Sequence, residues 1–63
     1  ESVDLVLAML ELLAGSAAPR ALGDIATTLS ISKPRAHRHL RALMLNDYVR
    51  QESDTDRYEV SAS

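Results

Sequence analysis

The 63-residue sequence predicts a mainly α-helical fold that ends in a small β-hairpin. Three segments, about residues 3–14, 24–29 and 33–46, carry apolar residues at helical spacing. Only residues 30–32 separate the second segment from the third. Two short runs within about residues 48–60 flank a turn-rich stretch, which is typical of a hairpin. A chain of this length is expected to form one small domain with a core of modest stability.

The first predicted helix, about residues 3–14, is apolar around much of its circumference. Three apolar side chains lie outside its main apolar stripe. They either pack under the ends of the hairpin or contact the same helix of a second subunit, and we expect the second arrangement. The stripe is Val3, Val6, Leu7, Leu10, Leu13 and Ala14, and the predicted dimer interface is Leu5, Met9 and Leu12.

Residues with known capping preferences mark the start of the second helix. Gly15-Ser16 is expected to end the first helix, and a short extended stretch at residues 20–22 follows. Gly23 is the expected N-cap of the second helix, about residues 24–29, because glycine is tolerated there. Asp24 then complements the positive end of the helix.

The third predicted helix, about residues 33–46, has one packing side and one cationic side. Ser32 is a good N-cap, and Pro34 falls in the first turn, where proline costs no helical hydrogen bond. Asn46-Asp47 is a plausible end, because both residues tolerate left-handed backbone. The expected packing side is Ala36, Leu40, Leu43 and Met44, and the opposite side is Arg35, Arg38, Arg41, Ala42 and Leu45.

Charge is segregated along the chain. Residues 33–50 hold five cations and one acid, a local charge of +4. The other 45 residues hold two cations and eight acids, a charge of −6. No acidic residue lies between Asp24 and Asp47. This distribution favours an anionic partner for the third helix.

The hairpin, or wing, is predicted over about residues 48–60. Its strands are expected at residues 48–51 and 57–60, around a turn at residues 53–56. The side chains expected to join the core from this hairpin are Tyr48, Val49, Tyr58 and Val60.

Three helices followed by a hairpin are the elements of a winged helix-turn-helix, in which the helix after the turn enters the DNA major groove. Lys33 and Arg38 are expected to contact phosphates, and Arg35 with Ser32 to contact base edges. Arg41 would contact the DNA backbone further along the duplex, and Arg57 would contact DNA from the wing. The predicted DNA-binding residues are Ser32, Lys33, Arg35, His37, Arg38, Arg41 and Arg57, with a second tier of Arg20, Thr27, Thr28 and Arg50.

The stretch LGDIATTLSISKPRAHRHLRAL, followed by DYVRQ and TDRYEV, resembles the N-terminal DNA-binding domain of IclR-type (isocitrate lyase regulator) transcription regulators. The resemblance covers about residues 3–60. It implies a ligand-responsive repressor or activator that binds palindromic operators as a homodimer or tetramer. It also implies a C-terminal domain that binds a small-molecule effector and is absent from this chain. The most specific matches are Lys33, Ala36-His37-Arg38, Leu40, Tyr48-Val49, Thr55 and Arg57-Tyr58.

The sequence also departs from the family pattern. Asp47 and Asp56 stand where glycine is usual, and both are expected in left-handed backbone. Pro34-Arg35 replaces a small Ser-Thr pair where bases would be read, so we expect a different sequence preference. His39 replaces a leucine, and Gln51 replaces a common arginine.

Other functions are less well supported by the sequence. His37 and His39 point about 200° apart on a helix and do not suit one metal ion. The serines lack a glycine-rich elbow, so we expect neither an enzyme nor a cofactor. The absence of cysteine and of a long apolar run favours a cytoplasmic protein without a membrane segment. The alternative is a winged helix that binds an acidic protein partner instead of DNA.

Overall fold

The computed structural model describes residues 2–61, with side chains from residue 4 onward, as three helices followed by a two-stranded antiparallel sheet. This arrangement confirms the predicted fold class. No helix within these residues is long and apolar enough to cross a membrane. The elements are α1 (Ser2–Ala14), α2 (Leu22–Leu29), α3 (Lys33–Leu45), β1 (Val49–Gln51) and β2 (Tyr58–Val60).

Helix α1 buries only part of the predicted stripe. Leu13 is buried and Val6 and Leu10 pack against the core as predicted, but the buried face is shifted toward Met9. Met9 and Leu13 are buried at 0% and 4% exposure, whereas Leu7 is 52% exposed and Ala14 is exposed. The side chain of Val3 lies outside the described residues. A helix that is apolar almost all round leaves its buried face undefined by periodicity, and contact with α2 and β2 decides it.

The burial of Met9 corrects the predicted dimer interface. A fully buried side chain offers no surface to a second subunit, so Met9 belongs to the core. Leu5 and Leu12 are half-buried, and Leu12 packs against the core cluster. A dimer contact at these two leucines stays a prediction.

The connection from α1 to α2 differs from the prediction at one point. Ser16 ends α1 as expected, because its hydroxyl donates to the Leu12 carbonyl at 2.7 Å. Arg20 is extended and pairs with Tyr58 through two backbone hydrogen bonds of 2.9 and 2.7 Å. Helix α2 already begins at Leu22, with Ala21 as an N-cap that makes no side-chain hydrogen bond. The prediction of Gly23 as the N-cap and of residue 22 as extended was therefore wrong.

The turn between α2 and α3 reverses the chain at Ser30, which adopts a left-handed φ of 58°. The backbone N–H groups of Ser30 and Ile31 donate to carbonyls in the last turn of α2, Thr27 at 3.2 Å and Ala26 at 3.0 Å. These bonds satisfy carbonyls that a helix end leaves free. They also fix the direction in which α3 starts.

The core lies where the three helices meet β1 and β2. Tyr58 and Val49 enter it at 2% exposure each, as predicted, and Val60 is half-buried opposite Val49. Tyr48 was expected in the core but is 58% exposed. Neighbouring residues of an extended chain point to opposite sides, so the burial of Val49 turns Tyr48 outward. The buried residues described are Met9, Leu13, Ile25, Ala26, Ala36, Leu40, Leu43, Val49 and Tyr58.

Two aspartates shape the hairpin through left-handed backbone, as predicted. Asp47 has a φ of 62° after the end of α3, and Asp56 has a φ of 59° before β2. The Asp56 N–H donates to the Glu52 carbonyl at 2.9 Å, which closes the turn. Aspartate therefore occupies conformations that glycine adopts more easily, and the hairpin still forms.

Replacing Leu40 tests the packing of α3. Leu40 is 0% exposed, so Leu40→Ala is expected to lower the free energy of unfolding by about 2 to 5 kcal/mol. Leu45, on the same helix and 76% exposed, supplies the control, and Leu45→Ala should change stability by less than about 0.5 kcal/mol. Urea unfolding followed by circular dichroism measures both. Equal effects of the two variants would contradict this packing.

Titration of Tyr58 predicts a loss of stability in alkali. Burial raises the pKa of the Tyr58 hydroxyl above its ordinary value of 10.0, and the Asp56 carboxylate raises it further. The folded chain thus holds this proton more tightly than the unfolded chain. The resulting stabilisation is complete below about pH 10 and is lost as the pH rises through the folded pKa. Unfolding free energies from about pH 8 to 11 should fall less for Tyr58→Phe than for the wild type. A Tyr58→Phe curve that fell as steeply as that of the wild type would exclude this origin.

Candidate nucleic-acid interface

Helix α3 presents a continuous cationic face to solvent. Ala36 and Leu40 are buried at 0% exposure and Leu43 at 6%, which fixes the rotation of the helix about its axis. The remaining arc carries the positive charge. We define the cationic face as the four exposed side chains of this arc, Lys33, Arg35, Arg38 and Arg41.

The cationic face is not neutralised by the carboxylates described. Within residues 4–61, no aspartate or glutamate forms an ion pair with any of its four side chains. The ion pairs found in that part of the chain lie elsewhere, between Arg20 and Asp24 at 2.7 Å and between Arg50 and Glu59 at 2.9 Å. The four charges of α3 are therefore available to an external anion.

The two second-tier arginines, Arg20 and Arg50, differ from those of α3 because each is paired with a carboxylate. Arg20 also donates from Nε to the Ser16 hydroxyl at 2.6 Å, and Arg50 faces Glu59 across the hairpin in register. The neighbouring carboxylate offsets the positive charge of either side chain and would repel a phosphate bound beside it. Both assignments stay predictions, with a competing partner that the sequence did not reveal.

The start of α3 is built around Ser32. Its hydroxyl oxygen accepts from the Arg35 backbone N–H at 3.3 Å, and its carbonyl accepts from the Ala36 N–H at 2.9 Å. Pro34 follows in the first turn, where the absence of an N–H group leaves no bond unmade. The predicted N-cap is confirmed. Because the hydroxyl oxygen of Ser32 accepts this bond, its O–H group is left to donate to an acceptor outside the domain.

Lys33 leans back toward α2. A Cβ atom placed on Gly23 would lie 3.3 Å from Lys33 Cε and 3.7 Å from Nζ. The ammonium group therefore sits beside the first turn of α2, and Gly23 leaves the room for it. A glycine inside a helix is the sequence signal for such a close approach, and the expectation of an N-cap there obscured it.

The histidines of α3 lie on different sides. His37 is exposed and stands one turn from both Lys33 and Arg41, at the edge of the cationic face. His39 is half-buried on the other side of the helix. Within the described residues, no group of histidine and acidic side chains is arranged to hold a metal ion.

The other predicted contact residues flank α3. Thr27 and Thr28 are exposed on α2, and Arg57 is exposed in the wing. Residues 52–57 hold three acids and one cation, a charge of −2, and Asp54 and Asp56 are exposed there. The wing is thus a weaker partner for a polyanion than α3 is.

The three helices, the hairpin and the cationic third helix define a winged helix-turn-helix domain, a class that binds DNA. The chain belongs to the IclR helix-turn-helix domain family, whose model matches residues 2–53. It is therefore a DNA-binding domain of the type found in transcription regulators, as the resemblance implied.

Two curated relatives carry the same name, glycerol operon regulatory protein. The protein from Streptomyces griseus is 42% identical over 62 residues, and that from Streptomyces coelicolor is 39% identical over 62 residues. Each match covers 98% of this chain and 24% of the relative. The chain thus spans about a quarter of the length of these regulators.

Two solved structures share the fold. A crystal structure of Pseudomonas aeruginosa HmgR gives a TM-score of 0.86 at 23% identity, over 95% of this chain and 25% of that chain. The Zα domain of cyprinid herpesvirus 3 ORF112, described in its binding mode to Z-DNA, gives 0.83 at 22% identity. That match covers 95% of this chain and 97% of the viral one. At these identities the likeness concerns the fold alone.

The capping role of Ser32 is testable by two substitutions. Ser32→Ala removes the acceptor for the Arg35 N–H and is expected to lower the unfolding free energy by about 1 kcal/mol. Ser32→Asp keeps an acceptor and should retain stability, while its negative charge beside the cationic face should weaken DNA binding. Thermal unfolding and retention on a DNA column measure the two effects. Ser53→Ala, at an exposed serine of the hairpin turn, serves as the control. An aspartate variant as unstable as the alanine variant would argue against the cap.

Proposed function

We propose that the domain binds double-stranded DNA sequence-specifically, with α3 in the major groove, as part of a ligand-responsive transcription regulator. The observation that carries this proposal is the exposed, unpaired cationic face of α3. An α-helix with its side chains is about 10 to 12 Å across, close to the width of the major groove. The family membership and the named regulators support the same function.

The side chains divide between phosphates and bases. Lys33, which leans toward α2, suits a phosphate at the groove edge. Arg38 and Arg41 lie about one and two turns beyond Lys33 along α3, and they contact the sugar-phosphate backbone of the DNA. Arg35 stands in the first turn, where recognition helices meet base edges, and its guanidinium can bond guanine O6 and N7 together. Arg57 adds a shallow contact from the wing.

One copy of the domain should bind weakly. Four cations on α3 and a net charge of −2 for the chain place its non-specific affinity near the weak end, about 10⁻⁴ M. A homodimer or tetramer would supply the remaining affinity on a palindromic operator. Contacts through Leu5 and Leu12 of α1 would set two copies of α3 about 34 Å apart, one turn of the duplex.

The relatives support a regulatory setting for the domain. Both are named as regulators of a glycerol operon and are about four times as long as this chain. By analogy, this domain would direct a repressor or activator to an operator. A small-molecule effector would bind outside these 63 residues.

Salt titration of two arginine variants tests the DNA contact. Affinity for random duplex should fall linearly with salt on logarithmic axes, with a slope near −0.9 per phosphate contacted. Arg38→Ala should weaken binding about tenfold at low salt and reduce the slope by about 0.9. Arg50→Ala removes the same charge from a side chain already paired with Glu59, so it should leave the slope nearly unchanged.

Fluorescence anisotropy of a labelled duplex gives both values. Equal slopes for the two variants would mean that net charge alone governs binding. Failure of the wild type to bind any duplex at low salt would instead favour a winged helix that associates with an acidic protein.

A further inference from the structure

Pro34 is an exposed apolar residue at the start of α3, and it points away from the domain. It lies in the first turn of the helix, directly before Arg35. At 100° per residue, it lies within about 30° of the direction opposite the mean of the three buried positions Ala36, Leu40 and Leu43. The pyrrolidine ring therefore faces outward as directly as the arginines of α3 do.

Local contacts orient the two side chains that precede Pro34. The Ser32 hydroxyl oxygen caps the helix by accepting from the Arg35 N–H at 3.3 Å. The Lys33 side chain rests over Gly23, with Cε at 3.3 Å from a Cβ built there. All four residues 32–35 are exposed, and Pro34 is the apolar side chain among them, next to the exposed guanidinium of Arg35.

The chemistry of the proline ring limits what it can recognise. It offers neither a donor nor an acceptor, and its backbone has no N–H group. Set against a polar base edge, it would remove that edge from water without a hydrogen bond, which is unfavourable. The major-groove edges of the four unmodified bases carry one methyl group, on C5 of thymine, where cytosine has only the smaller C5–H. The ring is also rigid, so the contact requires little ordering of the side chain.

We infer that Pro34 is a specificity-determining residue that selects a C5-methylated pyrimidine, thymine in ordinary DNA, by contact between its ring and the methyl group. The inference rests on the proposed function, because it requires α3 to lie in the major groove. Pro34 and Arg35 together would read a thymine close to a guanine in each half-site.

The test starts from selection of a random duplex pool on the immobilised 63-residue chain, repeated with Pro34→Ser. Serine suits the first turn of a helix, so the variant should fold, and its circular dichroism melting curve verifies this. The wild type should enrich one thymine per half-site that the variant does not enrich. Deoxyuridine at that position should weaken wild-type binding about fourfold, the factor that burial of one methyl-sized group supplies.

Further arms separate the methyl group from the rest of the base pair. Deoxyuridine at other thymines should leave wild-type affinity unchanged, and Pro34→Ser should be indifferent to deoxyuridine at the selected position. A 5-methylcytosine there should bind the wild type more tightly than cytosine does.

The possible failures are distinguishable. If the pool yields a consensus but wild type and variant respond equally to removal of the methyl group, the role of Pro34 is refuted while DNA binding stands. If neither protein retains any duplex at low salt, where even weak phosphate contacts hold, the proposed function fails and the role of Pro34 fails with it.

Discussion

The burial of one side of α3 is the constraint on which the rest of the molecule depends. Ala36, Leu40 and Leu43 occupy the core, and α3 packs against α2 and β1. A rotation of α3 by one residue, about 100°, would push a charged side chain into the core. Burial of an unpaired charge is so unfavourable that this rotation does not occur. Hydrophobic packing on one side thereby determines where the cations stand on the other.

The distribution of ion pairs separates two kinds of arginine. Arg20 forms an ion pair with Asp24 at 2.7 Å, which joins the segment before α2 to the first turn of that helix. Arg50 forms an ion pair with Glu59 at 2.9 Å, which joins β1 to β2. The arginines of α3 lie within a stretch of sequence that has no acidic residue. None of the described carboxylates forms an ion pair with them. Exposed ion pairs contribute little to stability, about 0 to 1 kcal/mol each. Their larger effect is to hold two arginines against the domain, while the charge available to a polyanion is concentrated on one helix.

The sequence predicted elements where a pattern had a single solution. Helix α3 has a clear apolar side and a serine N-cap, and both were predicted correctly. The apolar pattern of α1 is compatible with several faces, so the burial of Met9 rather than Leu7 depended on how α2 and β2 pack. The sequence did not determine which way Tyr48 points. In the structure, the left-handed backbone of Asp47 and the pairing of β1 with β2 orient Tyr48 outward and Val49 into the core. The ion pairs of Arg20 and Arg50 were also beyond prediction, because they depend on distances between separate elements.

The same geometry limits how the proposed DNA complex would achieve selectivity. The wing carries a charge of −2 over residues 52–57, and Lys33 leans toward α2, so few side chains are free to approach base edges. Electrostatic attraction from the cationic face acts equally on every sequence and cannot discriminate among operators. In the proposed complex, discrimination would come from the few groups that project at the start of α3, and from repetition of those groups in a second copy. Weak attraction by each domain is compatible with the proposed dimer, because two half-sites at a fixed spacing would multiply the small sequence preference of each domain.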